Sequence, residues 1–483
     1  MIITSYEQAQ EFLESFIRPT VLQRIEEDSH MKDPLDRMRV LLRLLGDPQK
    51  KFKSVQVSGT SGKGSTSYLL ANILTTAGYK TGLATSPHLE RIHERMLINN
   101  REIPDNTFLD LVNLLVPAVE QLKVLPEGEP SYFELLTAMA FLYFAQEKVD
   151  IAVVEVGLEG RYDATNVLNP LIVILTNISR DHVELLGNTE EAIAGEAMSI
   201  VRKEISISPI VITGITQKNI LEVLKKRTQG LGLAIEVLNQ TIKISLVSTS
   251  EKGVGFYYED RFGPLGTVYV SLRGEYQATN AALAIAASRE LNQLSFAINA
   301  DAIKQGLAHA FFAGRFEVIN IPVSVIASLK GAAISVKKIA SSSRYGGTPR
   351  NDKQLTIILD GAHNEAKMTA FLHGLDQYYP DESKIFIVGF KKNKDSSSMT
   401  RELFLRKGEF IFTQFHKGAD YARSVSMTRP ELSTATRGAS GIQYADDVGQ
   451  AIEMAISSGR QMIVITGSLY LVGEARSLLL ARE

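Results

Sequence analysis

No cysteine occurs anywhere in the chain. That absence excludes disulfides, zinc–thiolate sites and a cysteine nucleophile at once. An excess of charge of one sign is missing too: the formal net charge is −2, which gives no general electrostatic reason to expect nucleic acid. Long apolar runs are also missing. The longest, "LLTAMAFLYFA", is too short to span a bilayer, and the N-terminal "MIITSYEQAQEFLESF" has acidic residues where a signal sequence has a basic stretch followed by an apolar one. No repeat of solenoid length is visible. The expectation is a cytoplasmic protein, a monomer, with small-molecule substrates and neither nucleic acid nor membrane as partner. Its 45% hydrophobic and 22% charged residues are those of a globular chain, and 483 residues are too many for one ordinary core.

What is present is an alternation of strand-like and helix-like stretches. "DIAVVEV" and "LIVILTN" are short β-branched runs ending in polar residues, and "PIVIT", "TVYVSL", "LTIILD", "KIFIVGF", "EFIFTQ" and "QMIVIT" follow further on. Between them, "DNTFLDLVNLLVPAVEQL" and "SYFELLTAMAFLYFAQE" have helical periodicity, the second opening with Ser131 and Glu134 in capping-box spacing. Such alternation predicts parallel sheets with helices on both faces, where ligands collect at the C-terminal ends of strands. Between Val318 and Leu355 the pattern weakens into "SVKKIASSSRYGGTPRNDKQ", read as a surface insertion.

One strand end stands out. In "VQVSGTSGKGSTSYLLANIL" a strand runs into a Gly/Ser/Thr turn with a lysine inside it and a helix behind it. A helix N-terminus with small residues and a cation suits a polyphosphate. The spacing is not the usual Walker pattern, since Val57 stands where its first glycine would be and Gly64 separates Lys63 from Ser65. The roles still follow from chemistry. Gly59, Gly62 and Gly64 permit close backbone approach and positive φ, Lys63 can reach the outer phosphates, and Ser65 or Thr66 can ligate magnesium. With Thr60 and Ser61 these residues are the nucleotide-binding candidates; the bland alternative is a glycine-rich connection and nothing more.

Other strand ends carry carboxylates and a histidine. "DIAVVEVGLEGRYDATNV" places Glu155 at the end of a buried-looking strand, a suitable ligand for a magnesium ion on nucleotide phosphates. "LTNISRDHVELLG" presents Asn177, Asp181 and His182 after the next strand, and "TSPHLERIHERM" offers Ser86 as another hydroxyl ligand. A lone histidine is more often structural, but this one follows a strand beside an aspartate.

With these residues in place, the chain resembles the folylpolyglutamate synthase and dihydrofolate synthase family, relatives of the peptidoglycan Mur ligases. "GTSGKGST", "TSPHLERIHERM", "SYFELLTAMAF", "VEVGLEGRYDATNV", "TNISRDHVELLG", "GEYQATNAALAIAA", "GRFEVI", "LDGAHN", "KNKD" and "TGSLYLVGEAR" are similar to that family in the family's order. The resemblance implies an α/β protein: a P-loop-type parallel-sheet ATPase domain over residues 1–312, then a smaller Rossmann-like α/β domain over 313–483 with an insertion near 321–354. It implies an ATP-dependent amide ligase that phosphorylates a carboxylate of folate or dihydropteroate and lets the amino group of L-glutamate displace the phosphate. It also implies ATP and two magnesium positions: Ser65 and Glu155 at the phosphates, and Ser86, Glu155 and His182 near the acyl phosphate. Gln277 and Asn280 match the adenine-side motif, Arg315 a phosphate-reaching arginine, Asp360 a ribose contact and His363 a residue at the reacting end. Lys63, His182 and His363 are thereby the catalytic candidates, and closure of the two domains would assemble the site and exclude water.

The resemblance has departures. Where the family carries a lysine that is carbamylated near the second metal, "IAGEAMSIVRKE" has Ala197, and Lys203 lies six residues on, turned away on a helix. Glu196 or a water replaces the carbamate, or the second metal is held less tightly, or activity is lost; a working enzyme with an altered second-metal position is the expectation. Smaller departures are Ser61 for Asn, Glu159 for Gly, Tyr276 for His, and Phe312-Ala313 for Trp-Pro. Three rivals stay open: a Mur-type amino-acid ligase, a catalytically silent folate- or nucleotide-binding homologue, and a P-loop kinase or ATPase.

Overall fold

The computed structural model describes residues 2–17, 33, 35–157, 160–179, 189–202, 208–322, 354–392, 394–416, 426–436 and 441–480. Among the site candidates His182 lies outside these residues, as do Asp181, Glu159, Lys203 and most of the expected insertion. The chain divides into two compact units, one formed mainly by residues 1–271 and 275–311 and the other by 272–274 and most of 312–483.

The larger unit is built on an eight-stranded sheet with the order β4-β3-β2-β5-β1-β6-β7-β8. These strands are β1 (Lys53–Ser58), β2 (Thr81–Ala84), β3 (Met96–Ile98), β4 (Arg101–Glu102), β5 (Ile151–Glu155), β6 (Ile172–Leu175), β7 (Ile210–Thr213) and β8 (Ile235–Val237). From β2 to β8 across the sheet every pairing is parallel, and only the β2–β3–β4 edge is antiparallel. The central strands are apolar runs buried on both faces, as a sheet covered by helices requires: every residue of Ile151–Glu155 and of Ile172–Leu175 is buried. One covering helix, Tyr132–Gln146, is buried almost all round. It starts at the expected capping box, in which Ser131 N–H donates to Glu134 Oε2 at 2.7 Å and Glu134 N–H to Ser131 Oγ at 3.3 Å. The same glutamate takes Arg37 Nε at 3.1 Å, an ion pair with both partners buried.

One strand-like run is not part of a parallel sheet. "TVYVSL" forms β11 (Gly263–Val270), which pairs antiparallel with β10 (Gly253–Asp260), itself antiparallel to β9 (Lys243–Ser250). The alternation of buried and exposed residues toward the end of β11 is what a one-sided antiparallel sheet needs, whereas the central parallel strands are buried throughout.

The smaller unit carries a six-stranded sheet, β12-β13-β17-β14-β15-β16: β12 (Glu317–Pro322), β13 (Gln354–Asp360), β14 (Lys384–Val388), β15 (Glu409–Phe412), β16 (Ile442–Tyr444) and β17 (Met462–Thr466). All pairings are parallel except β12 with β13. Both units are thus α/β layers around largely parallel sheets.

Candidate active site

In the larger unit, β1 ends at Ser58 and the helix Lys63–Thr76 begins five residues later. Between them the chain turns back on itself with Gly59 at φ +128° and Gly62 at φ +85°. Neither position has room for a side chain. A Cβ on Gly59 would lie 2.1 Å from Thr176 Oγ1, and one on Gly62 would lie 2.3 Å from Asn280 Oδ1. Gly64 differs from the expectation: it sits inside the first turn of the helix, where φ is negative.

The segment after β6 holds the loop in shape. Thr60 N–H donates to Asn177 O at 3.0 Å and Ser61 N–H to Asn177 Oδ1 at 2.8 Å. Thr176 Oγ1 donates to Ser61 O at 2.7 Å, and Thr60 Oγ1 and Ser179 N lie 3.1 Å apart. Asn177, read from the sequence only as a polar strand end, is therefore the residue that fixes the loop. Lys63 Nζ donates to Gly59 O at 2.6 Å, which places its ammonium over the loop. The first intrahelical bond runs from Thr66 N to Gly62 O at 2.8 Å, so the N–H groups before it have no acceptor within the helix.

The polar atoms left over mark what the loop is shaped for. Ser58 Oγ, Ser61 Oγ and Thr66 Oγ1 are buried and have no hydrogen-bond partner, and the same holds for Gln277 Nε2. Gln277 is fully buried, with its Oε1 taking Asn280 Nδ2 at 2.9 Å. Several unpaired hydroxyls and an amide around one cationic helix terminus are costly unless a polar ligand satisfies them. All ten residues expected to bind the nucleotide in this unit, from Gly59 to Thr66 with Gln277 and Asn280, belong to or border this cradle.

Glu155 stands beside it because β5 is the neighbour of β1, with Val57 opposite Glu155 in register. On the other side β5 pairs with β2, which delivers Ser86; Ser86 N–H donates to Glu155 Oε2 at 3.0 Å. Glu155 and Ser65 are both buried. A carboxylate on one strand end and serine hydroxyls on the neighbouring helix start and loop are hard-oxygen donors of the kind a magnesium ion takes, so the chemistry of the residues present fits that ion. Behind Ser86 and Glu155 lies a cavity of about 20 Å³, also bordered by Arg95, Thr137, Thr165 and Phe133, room for one water molecule.

The Ser86 loop has its own organiser, which sequence reading missed. Glu94 accepts N–H groups from Leu89 at 2.7 Å, Glu90 at 2.8 Å and Arg91 at 2.9 Å. Its burial raises the carboxyl pKa, against those three bonds. Arg95 Nε donates to His88 Nδ1 at 2.9 Å. Burial, then the charges of Arg95 and His93, hold His88 well below the usual histidine range.

Ala197 is fully buried in an apolar cluster with Ile193, Ala194 and Met198. Glu196 next to it is turned to the loop after β5: its Oε2 lies 3.4 Å from Arg161 N, and a Cβ on Gly160, at φ +121°, would lie 2.7 Å from that oxygen.

In the smaller unit Asp360, at the end of β13, is buried and accepts Phe316 N–H on Oδ2 and Ala362 N–H on Oδ1, both at 2.9 Å. Its pKa is pushed up to about 6 by burial, opposed first by the Arg315 charge and then by those two bonds. The turn that bears Arg315 is held from two sides, since Gly314 N–H donates to Glu317 Oε2 at 2.9 Å and Glu317 in turn takes Arg476 Nε at 3.0 Å. His363 follows Asp360 at the head of the helix Glu365–Tyr378. Arg315, Asp360 and His363 are thus together at one strand end. Among the described residues no group of three or more histidine, aspartate and glutamate side chains is placed to hold a metal.

Comparison with known proteins follows the same lines. Residues 57–288 match the Mur ligase middle domain and residues 342–478 the C-terminal domain of dihydrofolate synthetase. The dihydrofolate synthase/folylpolyglutamate synthase of Bacillus subtilis is 31% identical over 451 residues, covering 93% of this chain and 95% of that protein. The Mycobacterium tuberculosis folylpolyglutamate synthase complexed with ADP superposes with a TM-score of 0.81 at 26% identity, covering 99% of this chain and 98% of that one. A folylpolyglutamate synthase complex with AMPPCP and folate gives a TM-score of 0.74 at 26% identity, covering 99% and 100%. No helix among the described residues is long and apolar enough to cross a membrane.

Proposed function

This chain belongs to the dihydrofolate synthase/folylpolyglutamate synthase family, and we propose that it is an ATP-dependent ligase joining the amino group of L-glutamate to a carboxyl group of folate, of dihydropteroate, or of both. The observation that carries this reading is the cradle at the end of β1. Its unpaired buried hydroxyls and Lys63 lie one strand away from Glu155 and two from Ser86.

A carboxylate resists attack by an amine until one of its oxygens has become a phosphate leaving group. Transfer of the γ-phosphoryl group needs alignment and neutralised charge more than covalent help. Lys63 and the loop N–H groups offset charge on the phosphates, Ser61 and Thr66 donate hydroxyls, and Gln277 and Asn280 line the adenine side. Ser65 and Glu155 would hold one magnesium ion, and Ser86, Glu155 and His182 a second; bound there, magnesium supplies Lewis-acid neutralisation of phosphate and acyl-phosphate oxygens. Resemblance to the family assigns Arg315 to the phosphates, Asp360 to the ribose and His363 to the reacting end, and Asp360 also steadies the Arg315 turn. The buried Ala197 leaves no place for a carbamate at that position.

Phosphate release tests the reading. With ATP and magnesium, it is expected to require both L-glutamate and one acceptor, offered as dihydropteroate or tetrahydrofolate. With the acceptor carboxylate labelled with oxygen-18, one label is expected in the released phosphate, the signature of an acyl phosphate. ATP turnover indifferent to glutamate, or ATP binding without turnover with either acceptor, would overturn it.

A further inference from the structure

His363 is held at both ring nitrogens. Nδ1 lies 2.7 Å from Gly361 O, and Nε2 lies 3.0 Å from Lys367 Nζ. A carbonyl oxygen only accepts, so Nδ1 carries the proton; an ammonium only donates, so Nε2 presents its lone pair. The alternative, an imidazolium facing a neutral lysine, would reverse the ordinary order of their basicities by about four pKa units.

We propose that Lys367 is a positioning residue that keeps His363 as the neutral, Nδ1-protonated imidazole, so that the smaller unit offers the incoming amino group of glutamate a hydrogen-bond acceptor and not another cation. The proposal deepens the function proposed above and rests on it for the identity of that amine. The ammonium of glutamate can take over the bond to Nε2 that Lys367 makes, since the two groups have the same charge and donor chemistry.

One further feature works in the same direction. His363 immediately precedes Asn364, whose side chain caps the helix Glu365–Tyr378 by accepting Lys367 N–H at 2.9 Å, so the imidazole stands at the positive end of a 14-residue helix. A positive helix end disfavours imidazolium. The charged groups near it are of both signs. Arg315, on the turn before β12, lies close to Gly361; Leu469 also packs on Gly361, and the next residue of its helix, Tyr470, has Lys391 over its ring at 5.4 Å from the centroid. Glu474 on that helix is turned to His416 N–H, at 2.8 Å. Of the nearby carboxylates, Glu365 begins the helix Glu365–Tyr378 two residues after His363, and Asp360, three residues before it, faces Arg315 and Lys367 with both of its oxygens occupied by backbone N–H groups.

The test is an NMR titration of the His363 ring in the full-length protein, with the signal assigned by its loss in His363→Gln. The wild type is expected to show the Nδ1–H tautomer. In Lys367→Gln the titration midpoint is expected to rise by about one to three units. Lys367→Arg, which restores a cation, is expected to bring it back down. An unchanged midpoint in Lys367→Gln, or a wild-type ring protonated on Nε2, overturns the proposal, and neither readout depends on turnover. For the reaction itself, the acidic limb of kcat/KM for glutamate is expected to move to higher pH in Lys367→Gln and to return in Lys367→Arg. A shift in the NMR midpoint with no glutamate-dependent turnover in the wild type would leave the Lys367–His363 relation standing and remove the function it is meant to serve.

Discussion

Asp360 Oδ2 accepts the N–H of Phe316 at 2.9 Å, and Phe316 is a fully buried residue with φ +48°. A bulky side chain in the left-handed region costs of order 1–3 kcal/mol and persists only where neighbours fix it. Here Asp360 fixes the backbone on one side, while Phe371 and Tyr378 pack the Phe316 ring at 5.1 and 5.5 Å. The strained residue directly follows Arg315, so the aspartate that ends β13 also sets the direction of the arginine.

The same aspartate predicts a pH dependence. Its carboxyl titrates at about 6 in the folded chain against an ordinary 3.8, because burial outweighs Arg315 and the two N–H bonds. A raised acid pKa contributes stability that is present at low pH and is lost as pH rises through the folded value. The stability of the wild type relative to Asp360→Asn should therefore fall between pH 4 and 7, by an amount on the order of 2–3 kcal/mol. Parallel urea melts across that range check this. A difference that is flat with pH would mean that Asp360 ionises normally.

Gly62 predicts a separable defect. Alanine there must adopt φ +85° with its Cβ 2.3 Å from Asn280 Oδ1, so Asn280 has to move and Gln277 loses its partner. The expected outcome for Gly62→Ala is a loss of roughly 1–3 kcal/mol in stability together with at least tenfold weaker ATP binding. Gly195→Ala is the control. Gly195 lies within the helix Glu190–Ala197 with open space around it, so alanine should gain up to about 1 kcal/mol and leave nucleotide affinity unchanged. Thermal melts and calorimetric titration with a non-hydrolysable ATP analogue distinguish the two.

The shape of the loop before Lys63 was legible in the sequence because its parts are contiguous. Ser58 to Thr66 is one strand end and one helix start, and the chemistry of glycine, lysine and hydroxyls at a helix N-terminus is local. Glu155 and Ser86 were legible for a related reason, since a parallel sheet brings strand ends together whatever its order. The capping box at Ser131 and Glu134 was readable from its spacing, but its buried partner Arg37 was not, being 97 residues away. Long-range pairings account for the other misses. Asn177 fixes the loop from another strand end, Glu94 gathers three N–H groups in a turn without regular periodicity, and β11 pairs with β10 in an antiparallel register that a single apolar run does not encode. Lys367 lies four residues from His363, yet only the helix geometry shows that the two side chains meet.

Ala197 predicts independence from bicarbonate. Its side chain is a methyl group inside an apolar cluster, and the carboxylate of Glu196 lies by the N–H of Arg161. Careful removal of bicarbonate is therefore expected to leave ligase activity unchanged. Loss of activity that added bicarbonate restores would mean that a lysine elsewhere carries a carbamate. Glu196→Gln keeps an oxygen for Arg161 N–H and should retain most activity, whereas Glu196→Ala frees the loop after Glu155 and should raise the magnesium requirement.

Glu155 allows the structural and metal-binding roles to be separated. In Glu155→Gln the amide oxygen can still accept Ser86 N–H, the bond that holds the Ser86 loop at 3.0 Å, but the charge is gone. A purely structural glutamate would tolerate this change. A magnesium ligand would not, because hard divalent cations depend on anionic oxygen and a neutral amide is a weaker donor. The variant is expected to melt within a few degrees of the wild type while needing at least tenfold more magnesium for half-maximal ATP turnover, in line with the roughly 10–100-fold losses seen when a metal site's supporting groups are changed. Glu155→Asp keeps the charge but shortens the reach, so it should recover part of the magnesium affinity at some cost to the Ser86 bond. Equal magnesium dependence in wild type and Glu155→Gln would place the ion elsewhere and leave Glu155 as the anchor of the Ser86 loop.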